Sequence, residues 1–176
     1  MQETQPESAW FDYKIRIEWL NMIIRQGTLD EMSSLWYKFY TFEFFSDNIE
    51  SGNAEFWAVE DGGCLTGEIY IFKQLDDSDF ANGSTTAYLY GFRIEEAVRG
   101  RGIGTILMNR VLERLRELGF KYAVIGVEPD KEANMRLYNR LGFVDKIKTL
   151  RLNPCDVDGN NMPTEGPEYI LLRKAL

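Results

Sequence analysis

The stretch VRGRGIG, Val98–Gly104, decides how this sequence is interpreted, because it places three glycines and two arginines in seven consecutive positions. It follows a β-rich run, Thr86–Ile94, and precedes a run with helical spacing of apolar residues, Ile103–Leu118. A helix N-terminus leaves backbone N–H groups unpaired and carries a partial positive charge, and glycine lets a ligand approach the backbone. The stretch therefore indicates either a phosphate or pyrophosphate site or a tight turn with solvated arginines.

Two common phosphate-binding motifs do not fit this spacing. A P-loop needs Gly-Lys followed by Ser or Thr, a tripeptide that the chain lacks. A dinucleotide fingerprint needs glycine at its first, third and sixth positions, but the sixth position is Thr105 when counted from Gly100 and Leu107 when counted from Gly102. A nucleotide-dependent oxidoreductase is therefore disfavoured.

The flanking sequence alternates between strand and helix patterns, which predicts an α/β domain. We expect strands over residues 21–26, 54–60, 65–73, 86–94, 121–127, 143–152 and 168–172, and helices over residues 28–40, 102–118 and 130–142. Thr28 and Asp130 are predicted N-caps, and Gly119 is a predicted left-handed C-cap. Residues 153–167 are predicted to form a polar loop, residues 1–21 an N-terminal extension of uncertain shape, and residues 22–176 a single domain.

The composition excludes several classes of function. The chain has 176 residues, 44% of them hydrophobic, which suits one globular domain, and it has neither a signal-like start nor a run of about 18 apolar residues, so we expect a soluble cytoplasmic protein. It has no histidine and only two cysteines, which argues against a zinc site, a disulfide framework and the usual Ser/His or Cys/His nucleophile pairs.

The net charge of −8 argues against binding to nucleic acids and to anionic membranes, because both need a basic surface. The charge is compatible with a cationic small-molecule partner, and it also serves solubility alone in many proteins. We expect no metal.

Arg99, Gly102 and Gly104 satisfy the pattern R-x-x-G-x-G, and at this point the chain resembles the GNAT superfamily of N-acetyltransferases. NMRLYNRLGF, Asn134–Phe143, resembles the family's late helix, and IIRQGTLDEM, Ile23–Met32, is similar to the family's start. The resemblance covers about residues 22–175. It implies an α/β (α+β) three-layer fold: a mixed central sheet of about six or seven strands, flanked by helices and splayed between the fourth and fifth strands.

The resemblance also implies acetyl-CoA as cosubstrate. It assigns these residues to cofactor binding: Phe92, Arg93, Ile94, Arg99, Gly100, Arg101, Gly102, Ile103, Gly104, Thr105, Lys131 and Asn134. The amides of Gly100–Thr105 would bind the pyrophosphate, and Phe92–Ile94 would pair with the pantetheine arm and direct one amide at the thioester oxygen. The family often has asparagine where this chain has Lys131, so either Lys131 or Asn134 would take over that contact.

Tyr138 matches the family's general acid, which protonates the departing thiolate; the alternative is an aromatic ring that packs against the sheet. The positions of the family's catalytic carboxylates hold Gly126, Tyr88 and Tyr90 instead. Glu68 and Glu128 are the remaining base candidates. Ordered water could replace a dedicated base, because aligning amine and thioester supplies much of the catalysis.

The acceptor is left open between a polyamine, an aminoglycoside, an amino acid and a peptide N-terminus. The aromatic segment WYKFYTFEFF, Trp36–Phe45, indicates either core packing or a wall of the acceptor site. Within residues 153–167, carboxylates could hold a cationic amine: Asp156, Asp158 and Glu165. The predicted function is acetyl transfer to a primary amine by direct attack in a ternary complex, in a monomer or a homodimer. The alternative is a non-catalytic acyl-CoA-binding sensor or interaction module.

Overall fold

The computed structural model describes residues 15–17, 22–35 and 39–176, with the side chains of residues 22–35 and 41–176. Most of the N-terminal extension and residues 36–38 of the aromatic segment therefore lie outside the described residues. Three residues of the extension, Ile15–Ile17, form a strand.

A mixed sheet of eight strands forms the centre of the described chain, in the order β1-β2-β3-β4-β5-β6-β8-β7. The strands are β1 (Ile15–Ile17), β2 (Met22–Gln26), β3 (Ala54–Asp61), β4 (Cys64–Phe72), β5 (Thr86–Ile94), β6 (Tyr122–Val127), β7 (Asp145–Val157) and β8 (Pro163–Ala175). Among the described strands, only the β5–β6 pair is parallel. The predicted fold class is confirmed, with one strand more than expected because β1 extends the sheet.

Four α-helices in the described part of the chain cover the sheet: α1 (Leu29–Leu35), α2 (Phe39–Glu50), α3 (Ile103–Glu117) and α4 (Glu132–Arg140). The predicted cap Thr28 is confirmed, since its hydroxyl accepts the Glu31 N–H at 3.3 Å while the Glu31 carboxylate accepts the Thr28 N–H at 2.8 Å. Gly119 has φ +84°, which confirms the left-handed C-cap of α3.

Two helix predictions were wrong in detail. Helix is described over Leu29–Leu35 and over Phe39–Glu50, so helical structure extends to Glu50 rather than ending at residue 40. The hydroxyls of Ser33 and Ser34 donate back to backbone carbonyls three residues earlier, at 2.6 and 2.7 Å. The N-cap of α4 is Lys131 rather than Asp130.

The two central strands β3 and β4 are buried on both faces. Trp57 and Ile69 pack in the core beneath α3 and α4, whereas Phe56 and Tyr70 pack in the core beneath α1 and α2. This alternation follows from the two-residue period of a strand. The result is the expected order of helix, sheet and helix.

The predicted polar loop 153–167 is wrong. It belongs to a long hairpin in which β7 and β8 are joined by the turn that lies between Val157 and Pro163. Pro154 lies where the β7–β8 register is interrupted, and Pro163 is the first residue of its strand, which are the two places where a sheet tolerates proline.

Candidate active site

The parallel strands β5 and β6 separate halfway along their length. Their paired residues end at Leu89 and Ile125, while β5 stays paired with β4 as far as Ile94. A bulge contributes to this divergence: between the Tyr70–Tyr90 and Glu68–Arg93 pairs, β5 has one residue more than β4, and Gly91 in the bulge has φ +68°. This role of Gly91 was not predicted from the sequence, although a glycine inside a strand pattern is a signal for a bulge.

The first cleft at this opening, here called the cofactor cleft, has a volume of about 1090 Å³. It is lined by Phe92, Arg93, Ile94, Val98, Arg99, Gly100, Gly102, Ile103, Gly104, Thr105, Asp130, Lys131, Glu132, Ala133, Asn134, Leu137 and Arg140. The structure thus brings together every predicted cofactor-binding residue except Arg101, which is exposed and outside the lining.

The glycines of the loop before α3 have different physical roles. Gly100 and Gly102 have φ +76° and +77°, and a Cβ on either would meet no atom within 4 Å. These two glycines are therefore required for backbone conformation, and they leave open space beside the helix N-terminus. Gly104 packs closely against Phe92, because a Cβ at position 104 would lie 3.0 Å from Cζ of Phe92 and the ring would have to shift.

The end of the loop is suited to an anion. Gly102 caps α3 without a side-chain hydrogen bond, so the first-turn amides of α3 face the cleft without a capping side chain. Arg99 holds the loop against the strand, since its Nε donates to the Ile94 carbonyl at 2.8 Å. Free amides, a helix dipole and an open glycine backbone together fit a pyrophosphate group.

Charge in the cofactor cleft is opposite to that of the chain as a whole. Four cationic residues line it (Arg93, Arg99, Lys131 and Arg140) against two acidic ones (Asp130 and Glu132), in a chain with net charge −8. Such a local excess attracts phosphate groups that the rest of the surface repels.

A second, smaller space, here called the tyrosine cavity, has a volume of about 290 Å³. Its walls include Tyr88, Tyr90, Tyr138 and Tyr169, together with Gly126, Glu128, Arg151, Asn153, Asp156, Gly166 and Pro167. It shares Phe92, Lys131 and Asn134 with the cofactor cleft, so the two spaces meet at these three residues.

Tyr138 lies on α4 beside this junction. Its side chain is 3% exposed, and its ring contacts Phe92 and Phe143 edge-on with centroids 6.1 Å away in each case. The hydroxyl has no hydrogen-bond partner among the described residues. Burial raises the pKa of Tyr138 above its ordinary value, so the phenol keeps its proton at neutral pH and is available as a donor.

The structure explains why no carboxylate occupies position 126. A Cβ there would lie 2.9 Å from Cδ2 of Tyr169 and 3.3 Å from the Tyr88 hydroxyl. The tyrosine rings therefore fill the space that a longer side chain would need.

The two remaining base candidates differ in position. Glu68 is buried and lines neither space; its oxygens accept hydrogen bonds from Arg93 Nε at 2.7 Å and from the Tyr70 hydroxyl at 3.0 Å. Burial raises the pKa of Glu68, against the opposing effect of Arg93. Glu128 is half-buried and lines the tyrosine cavity.

The three carboxylates of the predicted loop lie in three different surroundings. Asp156 lines the tyrosine cavity and accepts a hydrogen bond from the Tyr90 hydroxyl. Asp158 instead accepts the N–H groups of Asn160 and Met162 in the hairpin turn, which lower its pKa. Glu165 lines a different cleft.

Within the described part of the aromatic segment, Phe45 packs in the core and Phe44 lines a cleft, but neither lines the tyrosine cavity. Phe45 is fully buried, with its ring centroid 4.8 Å from that of Tyr70 and 5.6 Å from that of Tyr90. Phe44 lines the different cleft that also includes Glu165, between α2 and the hairpin, with a volume of about 970 Å³.

Other features of the described residues add little to the site. Cys64 is exposed and Cys155 is buried, and both thiols are free. Within residues 15–17, 22–35 and 39–176, no group of side chains is arranged to hold a metal ion, and no helix has the length and apolar character needed to cross a membrane.

Sequence relatives support the predicted family. The chain is 28% identical over 107 residues to the uncharacterised N-acetyltransferase YdgE of Bacillus subtilis, which covers 60% of this chain and 65% of the relative. It is 30% identical over 122 residues to a mycothiol acetyltransferase of Mycobacteroides abscessus, which covers 56% of this chain and 41% of the relative. The matches thus span less than two thirds of these relatives.

A solved structure gives the same result for the fold. A GNAT family acetyltransferase from Elizabethkingia anophelis, with acetyl-CoA bound, superimposes with a TM-score of 0.61 at 17% identity, covering 89% of this chain and 99% of that one. The family model described as Acetyltransferase (GNAT) family matches residues 22–143, which include the splayed strands, the glycine loop and Tyr138. This chain therefore belongs to the GNAT acetyltransferase family.

Proposed function

We propose that the protein is an N-acetyltransferase that moves the acetyl group of acetyl-CoA to a primary amine by direct attack in a ternary complex. The observation that carries the proposal is the meeting of the two spaces at Phe92, Lys131 and Asn134, with Tyr138 beside the junction. One space fits the cosubstrate, and the other admits the acceptor to the thioester.

The chain's own residues would bind and orient the cosubstrate. The amides of Gly100–Thr105 bind the pyrophosphate, and the unpaired edge of β5 at Phe92–Ile94 binds the pantetheine arm. An amide of this edge donates to the thioester oxygen as negative charge develops there, which is usually the largest electrostatic contribution. Lys131 and Asn134, which line both spaces, contact the arm near its thioester end.

The transfer forms one N–C bond and breaks one C–S bond. The amine loses a proton, which passes to water ordered beside Glu128, and the departing thiolate receives a proton from the Tyr138 hydroxyl. Solvent water then returns a proton to the Tyr138 oxygen. Because burial keeps Tyr138 protonated, the hydroxyl enters the reaction as a donor. Alignment of amine and thioester supplies the remaining catalysis without a strong base.

The cosubstrate is tested by thermal unfolding with acetyl-CoA, CoA and NAD. A ligand at about 100 times its Kd should add roughly 2.7 kcal/mol to the free energy of unfolding. We expect stabilisation by acetyl-CoA and CoA; stabilisation by NAD alone would contradict the proposal.

Catalysis is tested with Tyr138→Phe. We expect the variant to bind acetyl-CoA within a few-fold of the wild-type Kd and to release thiol about 10² to 10⁴ times more slowly with a primary amine, because it lacks the donor. Equal turnover would leave Tyr138 a packing role only. A different outcome would support an acyl-CoA sensor: both proteins bind acetyl-CoA tightly, and neither releases thiol with any amine. In that case incubation of a cell extract with the protein and isotope-labelled acetyl-CoA should also give no labelled product.

A further inference from the structure

Two side chains of opposite charge line the tyrosine cavity without pairing with each other. Arg151 and Asp156 both lie in its wall, and neither makes an ion pair within the described part of the chain. Unpaired charges beside a cavity are suited to a ligand that carries the complementary charges.

Irregular pairing in the terminal hairpin places Arg151 at the cavity. Leu150 pairs with Tyr169 and Leu152 pairs with Glu165, so Arg151 alone stands opposite residues 166–168 of β8. Gly166 and Pro167 of this irregular segment line the cavity with Arg151. Such bulges redirect side chains next to functional sites.

A second irregularity places Asp156 there. Leu152 pairs with Glu165 and Val157 pairs with Pro163, so the four residues 153–156 stand opposite Thr164 alone. Within these four residues Asn153 and Cys155 are buried, Cys155 in the core beneath α1 and α2, whereas Asp156 is exposed.

Hydrogen bonds fix the position of this segment. The Asn153 side chain donates to the Tyr88 hydroxyl at 2.8 Å and accepts the Cys155 N–H at 3.0 Å, and Thr164 Oγ1 donates to the Asp156 carbonyl at 3.0 Å. The Tyr90 hydroxyl donates to Oδ1 of Asp156. Oδ2 has no hydrogen-bond partner among the described residues and is available to a ligand.

The other charged residues of the cavity, Lys131 and Glu128, lie away from the hairpin. Lys131 pairs with Asp130 at 3.8 Å and also lines the cofactor cleft, and Glu128 follows β6. Tyr88, Tyr90 and Tyr169 stay neutral, because burial raises the pKa of each phenol. Arg151 and Asp156 are therefore the charged groups on the hairpin side.

We propose that the acceptor is a free amino acid or a zwitterion of similar size, with its carboxylate on Arg151 and its ammonium on Asp156. This inference rests on the proposed function and narrows its acceptor. A guanidinium binds a carboxylate through two parallel hydrogen bonds, which gives the acceptor one orientation. The ammonium gives its proton to solvent water before the nitrogen attacks the thioester.

The size of the cavity agrees with this assignment. Its volume of about 290 Å³ is at the lower end of small-molecule sites. Polyamines and aminoglycosides offer no carboxylate to Arg151, and in a peptide the group next to the terminal amine is a neutral amide.

The experiment measures thiol release from acetyl-CoA with each of the twenty common L-amino acids, and then compares the best one with its amide and its decarboxylated amine. We expect kcat/KM for the amino acid to exceed that for the other two by about 10- to 100-fold, the usual effect of a charged hydrogen bond. Equal or better use of the amide or amine overturns the zwitterion, while thiol release itself still supports the acetyltransferase.

Variants of Arg151 and Asp156 test which charge of the acceptor each residue binds. Arg151→Gln should lower kcat/KM for the amino acid by about 10- to 100-fold and for the amine much less, whereas Asp156→Asn should lower both alike. Glu165→Gln, in the same hairpin but outside the cavity, is the matched control and should change neither. Equal losses for both acceptors in Arg151→Gln would overturn the role of Arg151.

A binding measurement separates this inference from the proposed function. Equilibrium dialysis of radiolabelled amino acids against the CoA-saturated protein should show binding that Arg151→Gln weakens by at least tenfold. Absence of binding overturns the zwitterion site. Binding without thiol release from acetyl-CoA supports the zwitterion site and contradicts the acetyltransferase.

Discussion

The cofactor cleft and the tyrosine cavity share three residues but are built in different ways. The cofactor cleft comes from two short segments, residues 92–105 and 130–140, and its central feature is the backbone around a helix N-terminus. The tyrosine cavity comes from β5, β6, α4 and the terminal hairpin, and its contacts join residues 65 and 66 positions apart, Tyr88 with Asn153 and Tyr90 with Asp156.

This difference agrees with the ligand proposed for each space. A pyrophosphate is bound by amides that a local loop conformation presents, so a few glycines specify the site. A small acceptor is bound by side chains, which must converge from distant strands. The charges differ accordingly: cations outnumber acids four to two in the cofactor cleft, whereas the tyrosine cavity has two of each, Arg151 and Lys131 against Asp156 and Glu128.

The largest effect is expected from Gly102→Val. Valine at φ +77° is strained, and its side chain would occupy the open space where the pyrophosphate is expected, so acetyl-CoA affinity should fall about 100-fold or more. Titration calorimetry measures the Kd.

The matched control is Gly62→Val, because Gly62 also has positive φ, +58°, with no atom within 4 Å of its Cβ, and lies in the β3–β4 turn outside both spaces. The control should lose stability and keep its affinity. If Gly102→Val bound acetyl-CoA as tightly as the control, the loop would not be the pyrophosphate site.

A smaller effect is expected at the tyrosine cavity, where Gly126→Ala should lower the free energy of unfolding. The new Cβ would meet the Tyr169 ring at 2.9 Å, and the ring is held by the bond from its hydroxyl to the Leu152 carbonyl, 2.7 Å. Overpacking of this kind costs about 1–3 kcal/mol of unfolding free energy, measurable by urea denaturation, and acetyl-CoA affinity should change little.

Gly166→Ala is the control here, since its Cβ would have its nearest neighbour at 3.9 Å. In a Tyr169→Ala background, the effect of Gly126→Ala should shrink, because the ring that it clashes with is absent. A full effect in that background would show that the Tyr169 ring does not restrict position 126.

The smallest expected change concerns pH: kcat/KM should not decline at alkaline pH. Burial raises the pKa of Tyr138, so the folded protein keeps this proton at a pH where a free phenol, with a pKa near 10, would lose it. We expect kcat/KM with a primary amine to rise as the amine deprotonates and not to fall up to pH about 9.5. A decline that begins below pH about 9 in the wild type and is absent in Tyr138→Phe would contradict the buried, protonated phenol.

Much of the cofactor cleft could be predicted from the sequence. Gly100 and Gly102 stand between a strand and a helix, and the family resemblance that this pattern supports assigned twelve residues to cofactor binding, eleven of which line one cleft. Arg101 is exposed and outside the lining, and a sequence motif carries no information about side-chain direction within a turn.

The tyrosine cavity could be predicted from the sequence only in part. Asp156 was among three candidates, but nothing in the sequence separated it from Asp158 and Glu165, whose surroundings depend on the register of the hairpin. Pro154 and Pro167 are loop signals in sequence, whereas in the structure they mark interruptions within a paired hairpin.

The sequence by itself determined the family, the fold class and the position of the glycine loop between a strand and a helix, because motif, hydrophobic periodicity and glycine conformation act over a few neighbouring residues. Only the tertiary structure decided which charges line the tyrosine cavity, why position 126 holds glycine, and which carboxylate accepts the Tyr90 hydroxyl. These features depend on strand register and on bulges in β5 and β7–β8, and one residue of displacement in a strand turns a side chain to the opposite face.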